Sequence, residues 1–159
     1  MRIFDFLSSR KDAHGKNLPP FEFSEITEQV FIGNNACCRI HFEFNLLRRG
    51  ISADISLEKE QVDHPYGVET YLWLPTEDHT APSKENAAIG IEAIEAILKQ
   101  GRKVFIHCKN GHGRGPTLYA AYLISQGMTP EQAVAAIKAK RPATHLEESQ
   151  LTFLRSLAK

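Results

Sequence analysis

The apolar positions of this chain switch between two periods. Short apolar runs suited to strands occur at Val30-Phe31-Ile32, before the turn Gly33-Asn34, and at Val104-Phe105-Ile106-His107. Ile51, Ala53, Ile55 and Leu57 alternate with Ser52, Asp54 and Ser56, the period-two pattern of a half-buried strand. Val68 to Leu74 is β-branched and aromatic and stops at Pro75, which predicts a fourth strand. Between these, Ser83 predicts the N-cap of a helix running to about Gln100, with Ala87, Ile91, Ile94 and Leu98 on one face and Gly101 closing it. Pro116 to Gln126 reads as a central, largely apolar helix ended by Gly127. Thr129-Pro130-Glu131-Gln132 caps and starts another, with Pro at the first helical position. The spacing of Thr144 and Glu147 predicts a capping box opening a last helix that carries Leu151, Leu154 and Leu157. Strands and helices interleave and helices close the chain. That order predicts an α/β fold, a central, mostly parallel mixed sheet flanked by helices.

At 159 residues the chain is the size of one domain and needs neither disulfide nor metal to build a core. Residues 8–20 are polar and contain Gly15 and Pro19-Pro20, so 1–20 is expected to be an extension and 21–159 the domain. Three cysteines, Cys37, Cys38 and Cys108, are too few for a disulfide scaffold and fit a reducing compartment. The first residues lack the apolar segment and cleavage site of a secretory signal, and no run is long enough to span a membrane. The expectation is a cytoplasmic protein. Formal net charge is zero, with nineteen basic and nineteen acidic side chains, which argues against a broad surface for nucleic acid. The zero is a cancellation: residues 1–80 carry −5 and residues 81–159 carry +5.

Part of that excess lies around Lys103 to Thr117, KVFIHCKNGHGRGPT, where the chemistry concentrates. A buried strand delivers the chain to His107-Cys108, a loop with Gly111, Gly113 and Gly115 follows, and a helix then begins. Glycines let backbone amides turn inward, and the helix start adds unpaired N–H groups and the positive end of its dipole. This is an anion cradle at the carboxyl end of a sheet strand. Within it sit one thiol, Cys108, and one guanidinium, Arg114. Inward amides and a cation favour the thiolate, and a planar fork grips two phosphoryl oxygens. The combination points to attack by Cys108 on phosphorus and a thiophosphate intermediate released by water. A proton donor for the leaving oxygen belongs on a neighbouring loop, and LPTEDHTAPS offers Glu77 and Asp78. Backbone and side chains of Lys109, Asn110, Gly111, His112, Gly113 and Arg114 are the expected substrate-binding set.

His107-Cys108, five residues and Arg114 form the HCxxGxxR signature, and the region from about Ile26 to Leu157 resembles the small dual-specificity branch of the cysteine-dependent protein tyrosine phosphatase superfamily. ITEQVFIGN resembles the branch's opening strand, LPTEDHTAP its acid loop, and GMTPEQAVAAIKAKRP the helix-turn-helix after its active site, with Arg141-Pro142. The resemblance implies a two-step covalent mechanism without metal or cofactor, and selects Asp78 over Glu77 as the acid. It implies a phosphorylated protein as substrate, on phosphotyrosine, phosphoserine or phosphothreonine, and no stable complex with nucleic acid. Lys109 also resembles the loops of lipid-directed relatives, and some relatives act on RNA 5′-phosphates. One position departs from the pattern. The family usually has Ser or Thr after the Arg, where this chain has Gly115, as the phosphatases of regenerating liver have Ala. Slow breakdown of the intermediate, or a catalytically weak phosphate-binding module, follows from that departure. A rhodanese-like sulfurtransferase gives no reason for Asp78 or Arg141-Pro142. The seven histidines supply no four-ligand metal set, and Cys37-Cys38 read as small buried side chains.

Overall fold

The computed structural model describes residues 20–35 and 42–158. Cys37, Cys38 and all of the expected extension except Pro20 lie outside the described residues. Five strands form one mixed sheet: β1 (Phe23–Glu25), β2 (Val30–Asn34), β3 (Ile51–Glu58), β4 (Thr70–Thr76) and β5 (Lys103–Cys108), in the order β1-β2-β5-β3-β4. Four of them run parallel, and β1 alone is antiparallel, against β2. The helices are α1 (Phe44–Arg48), α2 (Lys84–Lys99), α3 (Arg114–Ser125), α4 (Pro130–Lys140) and α5 (Glu148–Leu157). The expected α/β architecture is the one observed. Among the described residues no helix is long and apolar enough to cross a membrane.

The main core fills one face of the sheet. Ile55, Leu57, Ile106 and Cys108 point into it from β3 and β5, and α3 meets them with Leu118, Tyr119, Ala120 and Ala121. Helix α3 packs on α2, α4, α5 and β5 together, so its N-terminus is fixed from every side. Gly90 lets α2 approach closely, because a Cβ there would lie 2.6 Å from Leu118 Cδ1. The other face carries a smaller aromatic core of Phe31, Phe42 and Phe105 under α1, with Phe42 and Phe105 edge to face.

Strand β3 departs from the half-buried expectation. Its alternate positions Asp54 and Ser56 are completely buried, because both faces of this inner strand are covered. Asp54 meets His107 of β5 there rather than water, and Ser56 Oγ accepts from Glu58 N at 3.4 Å. Other differences are local. Helix α3 starts at Arg114, two residues before Pro116, since a proline tolerates any place in a first turn. The last capping box is Glu147 with Gln150, not Thr144 with Glu147, while Thr129 with Gln132 and Ser83 cap as expected. Strand β4 runs through Pro75 to Thr76, which an edge strand permits.

Candidate active site

Parallel strands β2, β5 and β3 end side by side, and the loop after β5 turns at their carboxyl edge. Gly111 takes φ of +70°, and a Cβ there would lie 2.4 Å from Gly33 O and 2.8 Å from Arg141 Nη2. Only glycine fits such a turn. Arg141, buried, fastens the loop from behind by donating to Gly111 O (2.7 Å), Ser24 Oγ (3.2 Å) and Glu22 Oε1 (2.8 Å). Helix α3 then begins at Arg114 with Gly113 as N-cap and no side chain to cap it. Its first-turn N–H groups and its dipole therefore face the loop.

A cleft of about 140 Å³ opens over this turn, lined by Asp78, Cys108, Asn110, His112, Gly113 and Arg114 from the expected set. His79, His145, Glu147 and Gln150 complete its wall, none of which sequence reading singled out as a site residue. Lys109 is exposed and Gly111 faces Gly33 and Arg141, so neither lines the cleft. Cys108 is only 3% exposed, at the floor. Glu77 does not line it; it pairs with Lys59 on the surface.

Arg114 is the largest fully buried side chain of the described residues. Its Nη1 donates to Thr76 O and to Glu60 Oε2, both at 2.9 Å, and its Nη2 lies 3.3 Å from Asp78 Oδ1. Its Nε is buried without a hydrogen-bond partner. Burial works against the charge, but the hydrogen bond to Glu60 and the charges of Cys108, Glu60 and Asp78 prevail and hold the guanidinium cationic. For Glu60, burial pushes the carboxyl up, yet the Arg114 bond prevails and holds it below its ordinary value. Glu60 was not anticipated. It lies 54 residues before Arg114, and the parallel pairing of β3 with β5 brings the two together.

Beneath the loop, on the opposite face of β5 from Cys108, His107 stacks on Phe105 with ring centroids 5.3 Å apart. Its Nε2 lies 3.3 Å from Asp54 Oδ1 and 3.6 Å from Asp63 Oδ2, all three side chains being buried. Desolvation opposes protonation of His107, but the neighbouring Asp54, Asp63 and Glu58 prevail and push it up. His107 thus joins the end of β5 to buried carboxylates of β3 and of the segment that follows it. Thr117 Oγ1 donates to Gly113 O at 2.8 Å, which spends its one proton on the helix. No hydroxyl from Thr117 replaces the one absent at Gly115. Among the described residues no group of three or more His, Cys, Asp or Glu is placed to hold a metal ion.

Comparison with known proteins bears on this geometry. The family "Polymorphic toxin system, DSP-PTPase phosphatase" matches residues 34–128, which include β3, the acid loop, the cradle and α3. The chain belongs to that family. Curated proteins outside that family model are similar to the chain too. Human "Phosphatidylglycerophosphatase and protein-tyrosine phosphatase 1" is 38% identical over 95 residues, 58% of this chain and 47% of that protein. "Dual specificity protein phosphatase 5" of Rattus norvegicus is 36% identical over 73 residues, 45% of this chain and 19% of that protein. The chain therefore spans less than half the length of these curated relatives. A crystal structure of PTPMT1 superposes with a TM-score of 0.72 at 26% identity, over 86% of this chain and 93% of that one. The fold and the superfamily are those the HCxxGxxR signature implied.

Proposed function

We propose that the chain hydrolyses phosphomonoesters through a phosphocysteine at Cys108, with Arg114 as the phosphate clamp and Asp78 as the general acid, then base. The observation that carries this reading is Arg114: buried at the mouth of a helix-start cradle, its Nη1 saturated, its Nε unpartnered. A phosphoryl oxygen supplies the acceptor that Nε lacks, and a second oxygen takes Nη2 in place of Asp78. That exchange frees the Asp78 carboxyl at the moment the leaving oxygen needs a proton. The steps balance simply: Cys108 Sγ bonds to phosphorus, the ester oxygen leaves with the proton of Asp78, and water activated by Asp78 then displaces the thiolate. A working thiol requires a reducing compartment, in keeping with the cytoplasmic expectation.

Asp78→Asn tests the acid. The loss in kcat/KM is expected to reach roughly 100-fold for phosphate esters with poor leaving groups and to shrink towards none for good ones. An equal loss for both would move the role elsewhere, to Glu77 first.

Phosphorylated proteins are the proposed substrates. The cleft rim pairs acids with histidines, His79 with Glu147 and His112 with Glu22, so it does not present a basic face to a polyanionic surface. A second reading, a lipid phosphate, is favoured by the human relative, whose name includes phosphatidylglycerophosphatase. Phosphate release from phosphotyrosine and phosphoserine peptides, from phosphatidylglycerophosphate vesicles and from 5′-triphosphate RNA separates the readings. Peptide turnover exceeding that of vesicles and RNA is the expected order.

Gly115 bears on speed rather than substrate. A Cβ at this position would have no neighbour nearer than 3.7 Å, His107 C and Cα and Ile106 Cγ2. Glycine is therefore not imposed by packing, and the missing hydroxyl can be restored. Gly115→Ser is expected to raise steady-state kcat about tenfold, the worth of one hydrogen bond to the departing thiolate. Stopped-flow release should show a smaller burst in the variant. An unchanged kcat with an unchanged burst would place the slow step elsewhere.

A further inference from the structure

We propose that His79 is a positioning residue that holds the loop of Asp78 over Cys108 by tying it to the start of α5 through Glu147. The inference rests on the reading of Asp78 as general acid. His79 is the one described non-glycine residue with positive φ, at +62°. Residues with a Cβ seldom occupy that region, although Asn, Asp and His enter it more often than the rest, and here the turn is braced by its surroundings.

Beyond its own loop, the partners of this turn lie at the start of α5. The His79 carbonyl accepts from Ser149 Oγ at 2.8 Å, and the next carbonyl, of Thr80, accepts from Gln150 Nε2 at 2.9 Å. Gln150 is buried, and Ser149 and Gln150 belong to the first turn of α5. The imidazole lies between two carboxylates. Its Nδ1 is 3.1 Å from Glu147 Oε1, and its Nε2 is 3.6 Å from Asp78 Oδ2. Its backbone N–H donates to Asp78 Oδ1 at 3.1 Å. Glu147 is the N-cap of α5, and its main chain is anchored there by its N–H, which donates to Gln150 Oε1 at 2.9 Å.

These contacts solve a specific problem. Without phosphate, Asp78 has a competing partner, Arg114 Nη2 at 3.3 Å. When phosphate takes the guanidinium, Asp78 loses that anchor and must not drift out of the cleft. The His79 N–H remains on its Oδ1, and the Glu147 tie keeps the His79 backbone in the left-handed turn that aims this N–H. Glu77, on the other side of Asp78, pairs with Lys59 on the surface. A side chain that served only to fill the cleft wall would need neither the positive φ nor a carboxylate on each ring nitrogen.

The test uses His79→Asn, which accepts positive φ but cannot hold both carboxylates, and Glu147→Gln, which alters the tie from the helix side. Hydrolysis of a series of aryl phosphates of graded leaving-group pKa is measured for each, alone and with Asp78→Asn, and melting temperatures are recorded. Both single variants should lose about tenfold in kcat/KM on the poorest leaving groups and under twofold on the best. Combined with Asp78→Asn, neither should cost more. A loss equal across the series, no loss, or losses that add to that of Asp78→Asn would overturn the inference. If Asp78→Asn itself leaves the series flat, the acid assignment fails; if the wild type has no Cys108-dependent hydrolysis, the phosphatase reading fails. A steep series for Asp78→Asn beside flat ones for His79→Asn and Glu147→Gln removes only the role of His79.

Discussion

Cys108→Ser should abolish hydrolysis of a generic aryl phosphate, a loss of roughly 10⁴-fold or more, while the protein stays folded. The reason is the nucleophile rather than shape. A thiol attacks far more readily than a serine hydroxyl, and the cradle, the α3 dipole and Arg114 face this position with N–H donors and positive charge. The side chain is almost fully enclosed at the edge of the main core, and an oxygen in place of sulfur removes little volume from it. The melting temperature should therefore move by no more than about 3 °C. Phosphate-ester release measured on equal amounts of folded wild type and variant decides it. Activity within tenfold of wild type in the variant would move the nucleophile elsewhere.

Arg114→Lys should lower kcat/KM by roughly 10³-fold although the positive charge is kept. Lysine offers one point charge, whereas Arg114 spans Thr76 O and Glu60 on Nη1 and leaves Nε and Nη2 for phosphoryl oxygens. A lysine ammonium that reached the phosphate would abandon Thr76 O, which is buried and would lose a donor. One that stayed with Thr76 and Glu60 would leave the phosphate with backbone amides alone. Both KM and kcat should worsen, since the fork is used in binding and again as charge builds on the transferring phosphoryl group. A variant with a raised KM and an unchanged kcat would limit Arg114 to substrate capture.

Much of this site was legible because it is local. Strand, Cys108, glycine loop and helix start occupy Lys103 to Thr117, and each has a physical signature within a few residues. Asp78 could be chosen over Glu77 only by resemblance, and the cleft places Asp78 in its wall and Glu77 outside it. The supporting residues were not legible, because their partners are distant in the chain. Glu60 meets Arg114 across the sheet, Glu147 meets His79 across 68 residues, and Asp54 meets His107 between two strands. Asp54 and Ser56 in an alternating strand suggested a solvated face, whereas a carboxylate in a strand inside a parallel sheet is equally the mark of a buried polar pair. Strand β1, three residues long, carries no period at all and forms because β2 offers an open edge to pair with.

The central claim is the covalent step, and rapid acid quench of the wild type during turnover of an aryl phosphate tests it most directly. Proteolysis and mass spectrometry of the quenched protein should find phosphate on the peptide that contains Cys108, at an occupancy near the burst amplitude, as Gly115 slows its release. Phosphate on a histidine or on another cysteine, or a burst of product with no phosphate on Cys108, would contradict the account.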